Sequence, residues 1–457
     1  MSLDPRFDLG IPCGPGKDSA MKLEPASHLS QRGSHAANYG DFIMTYFKEA
    51  LKNPYHPKLN PKGIINMGTA INRLMETELA ARITQGDALA YTPAHQHYYE
   101  LSGTAQLRQA LAGFFTRHFC PGRNVSPDNL VVMNGVGACL DSLGHALCDP
   151  GDVLLTPTPV YGRIFTDFCD RSLVCVEPID TSQETNVDGM TFDLRPEDVE
   201  ERIVQLTSEG KRVRGLVLLH PHNPLGTSYS PELLRKIFAV CARHQMHVIV
   251  DEIYALSVFD TSAPHQSVLS LDDLPDPEKT HVLWGLTKDF ALAGFRVGVI
   301  HTQSKELLQC LRAVSTYQCT PHLIQHAAAT LLNDIEWCDN FYLPTNQRRM
   351  QEAYTKALKR LEGMGVKVRR SQAGFFVWAN LQSFLCPCTE EEELKLFEEL
   401  FESGLFLVPG SKLYCVNPGW FRFIFTIAPE DLDEALNKVE LVLCRRRTPR
   451  KHRPVAL

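Results

Sequence analysis

No run in this chain of 457 residues reaches the roughly 18 consecutive apolar residues that a membrane-spanning helix needs. Residues Met1 to Gly16 carry neither the basic start nor the apolar core of a secretory leader. Basic residues are not in excess: 46 Lys and Arg stand against 53 Asp and Glu, and the net charge of −7 gives nucleic acid no general hold. No internal repeat is visible. The 14 cysteines follow no repeating spacing, so reduced and mostly buried thiols in a cytoplasmic protein are expected. His220-Pro221-His222 and Cys386-Pro387-Cys388 hold ligand-type residues, yet no second pair follows at metal spacing, and no metal site is expected.

The chain does have the length for two domains and the composition, 44% hydrophobic and 22% charged, of a globular enzyme. Residues 1–35 are rich in Pro, Gly, Ser and His without a hydrophobic period, and read as a mobile arm. From about 90 to 330, short apolar runs alternate with amphipathic stretches. Leu130–Met133, Asp152–Leu155, Gly215–Leu219, Val248–Val250 and Val282–Trp284 are apolar on both faces, as strands covered on both sides must be. Ser230 suits a helix N-cap and Pro231 the first helical position, ahead of Leu233, Leu234, Ile237, Phe238 and Cys241 at helical spacing. This alternation predicts an α/β fold with a large, doubly wound and mainly parallel sheet.

Past 335 the pattern changes. A charged helix near Leu343–Leu361, strand-like Gly374–Trp378 and Phe421–Phe425, and a helix over Pro429–Leu443 predict a smaller α+β domain. The expected division is a small domain of 36–88 with 335–443, a large domain of 89–334, and a basic tail, 444–457. That tail is either a solvated end or a nuclear-import signal.

Four separated signals carry chemistry. Asn134-Gly135-Val136-Gly137-Ala138 follows a strand and opens a helix, a place where backbone N–H groups meet a phosphate. Pro221-His222-Asn223-Pro224 sets an amide at a strand's carboxyl end, where ligands of open α/β sheets bind. Asp251 ends an apolar strand, a costly position for a carboxylate without a cationic partner such as a protonated pyridine nitrogen, and Tyr254 follows three residues on. Thr287-Lys288 precedes Arg296 by eight residues, which suits a Schiff-base lysine with an arginine on phosphate. Taken singly, the first two are also plain turns and the lysine is also a surface residue. Their order and spacing together point to one cofactor.

These residues resemble the class I aminotransferase fold, and within it the 1-aminocyclopropane-1-carboxylate (ACC) synthases and their animal relatives. Asn53-Pro54-Tyr55-His56-Pro57, Asn60–Gly68, Val408-Pro409-Gly410-Ser411 and Pro418–Arg422 carry the narrower likeness. The resemblance implies pyridoxal 5′-phosphate (PLP) as cofactor, the fold type I (aspartate aminotransferase-like) architecture and a homodimer with sites at its interface. It implies Lys288 as the Schiff-base residue and Asp251 as the pyridinium partner. Asn223 and Tyr254 would bond the ring's phenolic oxygen, Tyr161 would stack on the ring, and Thr287 sits beside the lysine. Arg296 with Val136, Gly137 and Ala138 would cradle the phosphate, and Arg422 would clamp the substrate carboxylate.

Three departures stand out. Ile71 replaces a glutamate that helps define the family's S-adenosylmethionine site, which argues against ACC formation. Gly285 replaces a phosphate-binding serine, at an expected loss of about 1–2 kcal/mol. Leu101 replaces a tyrosine that reaches the neighbouring subunit's phosphate, with Tyr98 in position to substitute. Three activities remain open: a lyase or deaminase of small amino acids such as vinylglycine, an aminotransferase using a 2-oxo acid, and a non-catalytic binding protein.

Overall fold

The alternating runs assemble into one seven-stranded sheet in the computed structural model, which describes residues 28–447 except 39, 186–188, 261 and 263. Its strands are β1 (Leu130–Asn134), β2 (Val153–Thr158), β3 (Cys175–Asp180), β4 (Val213–Leu219), β5 (His247–Asp251), β6 (Thr280–Gly285) and β7 (Val297–His301). They lie in the order β1–β7–β6–β5–β4–β2–β3, with β7 antiparallel to both neighbours and the other pairings parallel. Side chains alternate across the pleat. Val131, Met133, Val217, Leu219 and Ile249 enter one apolar cluster, while Leu216, Leu218, Val248 and Val250 enter another on the opposite face. Each fully buried Leu, Ile or Val stabilises this sandwich by roughly 1.5–3 kcal/mol. Helix Pro231–Arg243 starts as its sequence predicts, with Ser230 Oγ accepting from Leu233 N at 3.2 Å.

Two strands escape a reading by apolar runs. Edge strand β3 carries Glu177, Pro178 and Asp180, and β7 is interrupted by Gly298. Strand β2 also runs further than its apolar segment. Its pairing with β4 ends at Leu155, so Pro157, which has no N–H to donate, continues beside β3 without breaking that ladder.

The smaller sheet contains β8 (Lys367–Arg369), β9 (Phe376–Asn380), β10 (Val408–Pro409) and β11 (Trp420–Ile424), antiparallel in the order β8–β9–β11–β10. Helices Leu343–Gly363, Glu390–Glu402 and Pro429–Arg447 pack on it. Ile65–Asn66 pairs in parallel with Leu405–Phe406 and ties the N-terminal segment to this body.

Three boundaries differ from the expected division. Residues Gln31–Asn38 form a helix, with Ser30 Oγ accepting from Gly33 N at 3.1 Å, so folded structure begins inside the expected arm. Met75 and Leu79 pack with Phe114 and Phe115 of the large domain, which places the end of the 36–88 segment there and not in the small domain. The last helix runs on to Arg447, because Arg446 pairs with Glu399 at 2.8 Å and Arg447 lies over the Phe384 ring at 4.8 Å. The Pro449–Arg453 cluster and most of the arm lie outside the described residues. Of the described cysteines, Cys386, Cys388 and Cys444 are exposed and the rest are buried or half-buried.

Candidate functional site

The carboxyl ends of the parallel strands and the start of β7 meet the small domain around a cavity of about 330 Å³. Asn223, Asp251, Tyr254, Tyr161, Thr287, Lys288, Arg296, Arg422, Val136 and Gly137 all line it. Reversal of β7 makes this possible, since Arg296 just before an antiparallel strand falls at the same edge as residues just after parallel ones.

Lys288 stands on a one-turn helix, Leu286–Asp289, that follows β6. The neighbouring Asp289 is fully buried and accepts from Leu256 N at 3.1 Å, Ser257 Oγ at 2.6 Å and Trp284 Nε1 at 2.8 Å. These bonds lock the turn and couple it to the Tyr254–Ser257 segment. Lys288 Nζ donates to the Ala70 carbonyl at 2.6 Å. Burial, reinforced by the positive charge of Arg422, pulls its pKa down to about 8, against the attraction of Asp251.

Asp251 ends β5, and its Oδ1 accepts from Ile253 N at 3.1 Å. Burial raises its pKa to about 7, with Lys288 opposing through its charge. A carboxylate so placed gains from a cation in the cavity. Burial also raises the phenols of Tyr254 and Tyr161, the latter to about 12, so both stay O–H donors at neutral pH. Tyr254 is fixed edge-on by Phe375 and Phe376, with centroids 5.3 and 5.4 Å away.

Arg422, on β11, is 2% exposed. It donates to Asn223 Oδ1 at 3.1 Å and to the Gly68 carbonyl at 2.5 Å, while its Nε has no partner. No carboxylate pairs with it among the described residues, so this buried cation has an unmet demand for an anion. Its bond to Asn223 occupies the amide oxygen and leaves the amide N–H groups to face a ligand.

The helix Val136–Leu147 starts at Gly135, which has φ 87° and provides no side-chain cap. Arg296 donates to the Asn134 carbonyl at 3.2 Å, across Gly135, where an added Cβ would stand 2.5 Å from the guanidinium. Glycine is therefore required for Arg296 to lie against the open helix end. Uncapped N–H groups beside a guanidinium form an anion cradle.

Some residues of the expected site do not line this cavity. Ala138 does not reach the cavity: its N–H turns back to the Gly135 carbonyl at 3.0 Å and its side chain joins the core. Ile71 is 38% exposed and is not among the lining residues, whereas the preceding Ala70 carbonyl holds Lys288. Tyr98 is fully exposed and away from this chain's own cavity. At Gly285 a Cβ would come within 2.4 Å of the Val297 carbonyl, so the close approach of β6 and β7 here excludes a serine unless the strands shift.

Sequence reasoning missed one charged group and one wall. Arg163 pairs with Asp41 and Asp167, each at 3.0 Å, and burial lifts Asp167 to about 6 despite that arginine. Arg163 and Asp167 line the cavity. Their four-residue spacing was the available signal, although Asp41 also caps the helix Phe42–Lys52 and is distant in sequence. From that helix Ile43, Met44 and Phe47 supply an apolar wall.

The residues fit PLP. The open helix end and Arg296 offer a phosphate cradle, buried Asp251 seeks a cation, and Lys288 shares their cavity. Comparison with known proteins agrees. Residues 62–439 match the family described as aminotransferase class I and II. The chain is 36% identical over 431 residues to the mouse 1-aminocyclopropane-1-carboxylate synthase-like protein 1, covering 94% of this chain and 86% of the relative. It is 38% identical over 400 residues to a human relative named probable inactive 1-aminocyclopropane-1-carboxylate synthase-like protein 2, covering 87% and 70%. Aspartate aminotransferase from Thermus thermophilus with maleate superposes with a TM-score of 0.72 at 23% identity, over 91% of this chain and all of the other.

Proposed function

Because the chain belongs to the class I and II aminotransferase family, whose members are PLP-dependent, we propose that it is a PLP-dependent enzyme acting at Cα of small α-amino acids, most readily as a deaminating lyase. One observation carries the reading. Arg422, a buried cation with an unpartnered Nε, lines the same cavity as Lys288 and Asp251. A binding protein with no reaction to perform gains nothing from sequestering these three charges together.

PLP, when bound, supplies a ring that accepts electrons from Cα. The remaining steps fall to the protein. Arg422 fixes the substrate α-carboxylate with a planar fork, so Cα has one orientation. Asn223 is itself held by Arg422, so substrate binding and ring contact share one hydrogen-bond network. Lys288, with its pKa near 8, is an effective base near neutral pH and takes the proton from Cα. Asp251 would pair as an anion with a protonated ring nitrogen, and the first turn of Val136–Leu147 with Arg296 would hold the phosphate. The wall of Ile43, Met44 and Phe47 favours an apolar side chain. Arg163 is already occupied by Asp41 and Asp167 and does not invite a side-chain carboxylate of the substrate. We assign the working unit as a homodimer, with Tyr98 presented to the neighbouring subunit.

The deciding experiment is an absorbance-monitored screen of small amino acids, vinylglycine included, with and without 2-oxo acids. Release of ammonia and a 2-oxo acid product without co-substrate supports the lyase. Turnover only with an added 2-oxo acid assigns a transaminase, and no spectral change with any amino acid rejects an enzyme.

A further inference from the structure

Outside the cavity lining, the fold gathers three ligand-type residues that the PLP chemistry does not use. His220 follows β4, Glu252 follows β5, and His265 lies in the segment after Phe259. Each has a ligating atom within 4.8 Å of the other two. His220 and Glu252 are fully buried and the His265 side chain is 5% exposed.

Two of the three are already oriented. Glu252 Oε1 accepts from Val268 N at 2.7 Å, while its Oε2 has no hydrogen-bond partner. His265 Nδ1 meets Ser228 Oγ at 3.1 Å, while its Nε2 has none. The unpartnered oxygen and nitrogen face each other at 3.9 Å. If Nδ1–H donates to Ser228, the lone pair of Nε2 points at Glu252, the arrangement by which a hydrogen bond on one ring nitrogen prepares the other for a metal. The His220 ring stands 4.3 Å from that of His265, centroid to centroid, and its Nε2 lies 3.0 Å from the Gln266 carbonyl. Its Nδ1 accepts from Tyr229 N at 3.3 Å.

We propose that His220, Glu252 and His265 form a binding site for one divalent transition-metal ion, with zinc(II) the best match to two imidazoles and one carboxylate. Zinc holds nitrogen and oxygen ligands at about 2.0–2.2 Å, so neighbouring ligands stand roughly 3.3–3.6 Å apart. Glu252 and His265 need to close by only about half an ångström from their present separation. His220 gives up one of its two hydrogen bonds to complete the set. A buried carboxylate with an unmet oxygen is costly by itself, and a cation removes that cost. The ion would pin the loop bearing His265 against the ends of β4 and β5, where His220 N also donates to the Asp251 carbonyl at 2.8 Å. Sequence spacing hides the set, because three separate segments supply one ligand each.

The test uses the purified full-length protein with PLP bound, stripped of metal by a chelator and titrated with zinc chloride against a chelating dye. One tight zinc per chain is expected, with a rise in Tm on loading. Glu252→Gln and His265→Gln should abolish it. Ser228→Ala removes only the orienting contact and should weaken binding 10–100-fold. Anomalous scattering from zinc-loaded wild-type crystals, which depends on no variant folding, should place the ion between Glu252 and His265. No stoichiometric zinc, undiminished binding in both Gln variants, or an ion found elsewhere, such as beside His95 and His322, would overturn the proposal.

Discussion

Replacing Asp251 by Asn should stabilise the cofactor-free protein while crippling it as an enzyme, and the two effects have one origin. Burial raises the Asp251 pKa from 3.8 to about 7. The folded chain therefore holds this proton where the unfolded chain has lost it. The resulting stability falls as pH climbs from about 3.8 through about 7 and stays lower above that. The shift corresponds to roughly 4 kcal/mol at 1.36 kcal/mol per unit. Asn keeps an oxygen for Ile253 N and has no charge to bury, but its N–H groups need partners, at about 1–3 kcal/mol. The informative quantity is the pH trend of the difference between the two proteins. Urea unfolding of both apo forms should show the variant gaining progressively between about pH 4.5 and 7, below the midpoint near 8 at which Lys288 titrates. With PLP and substrate the order reverses. The ring nitrogen loses its counter-charge, and turnover should fall by two or more orders of magnitude. Parallel pH–stability profiles for the two proteins would refute the account of a buried, cation-seeking carboxylate.

Other consequences follow from single contacts. Gly135→Ala sets a Cβ 2.5 Å from the Arg296 guanidinium at φ 87°, and dialysis should show PLP held at least ~10-fold more weakly, whereas unchanged retention would place the phosphate elsewhere. Arg422→Lys keeps the charge but loses the fork to Asn223 and to the substrate, so KM for whichever amino acid turns over should rise at least ~10-fold; an unaltered KM removes Arg422 from the substrate site. S-adenosylmethionine should yield little or no ACC from the native protein, because Ile71 offers neither charge nor hydrogen bond and, at 38% exposed, stands outside the lining of the cavity. ACC formed at rates matching deamination, measured by mass spectrometry, would contradict this.

The residues legible from sequence share one property: each sits within a few positions of an apolar strand. Asn223 after Leu219, Asp251 after Val250 and Lys288 after Gly285 take their place from the strand itself, so local order was enough to bring them together. What depended on distant segments meeting was not legible. Arg163 joins the site because helix Phe42–Lys52 brings Asp41 alongside, and the Ala70 carbonyl reaches Lys288 from a part of the chain 218 residues away. Position 285 shows a different limit. The family resemblance presents Gly285 as a lost serine, but the β6–β7 approach leaves no room for a side chain there. Strand β3 escaped because an edge position tolerates Glu177 and Asp180, which interrupt the apolar run.

The central claim is that Lys288 carries the cofactor within a cavity that Asp251 and Arg422 share. Borohydride reduction of the PLP-loaded protein, followed by proteolysis and mass spectrometry, tests it most directly. The label should reside on the single peptide containing Lys288, and Lys288→Ala should abolish both labelling and turnover. Stable labelling of a different lysine, or none in a protein that retains PLP through dialysis, would contradict the account.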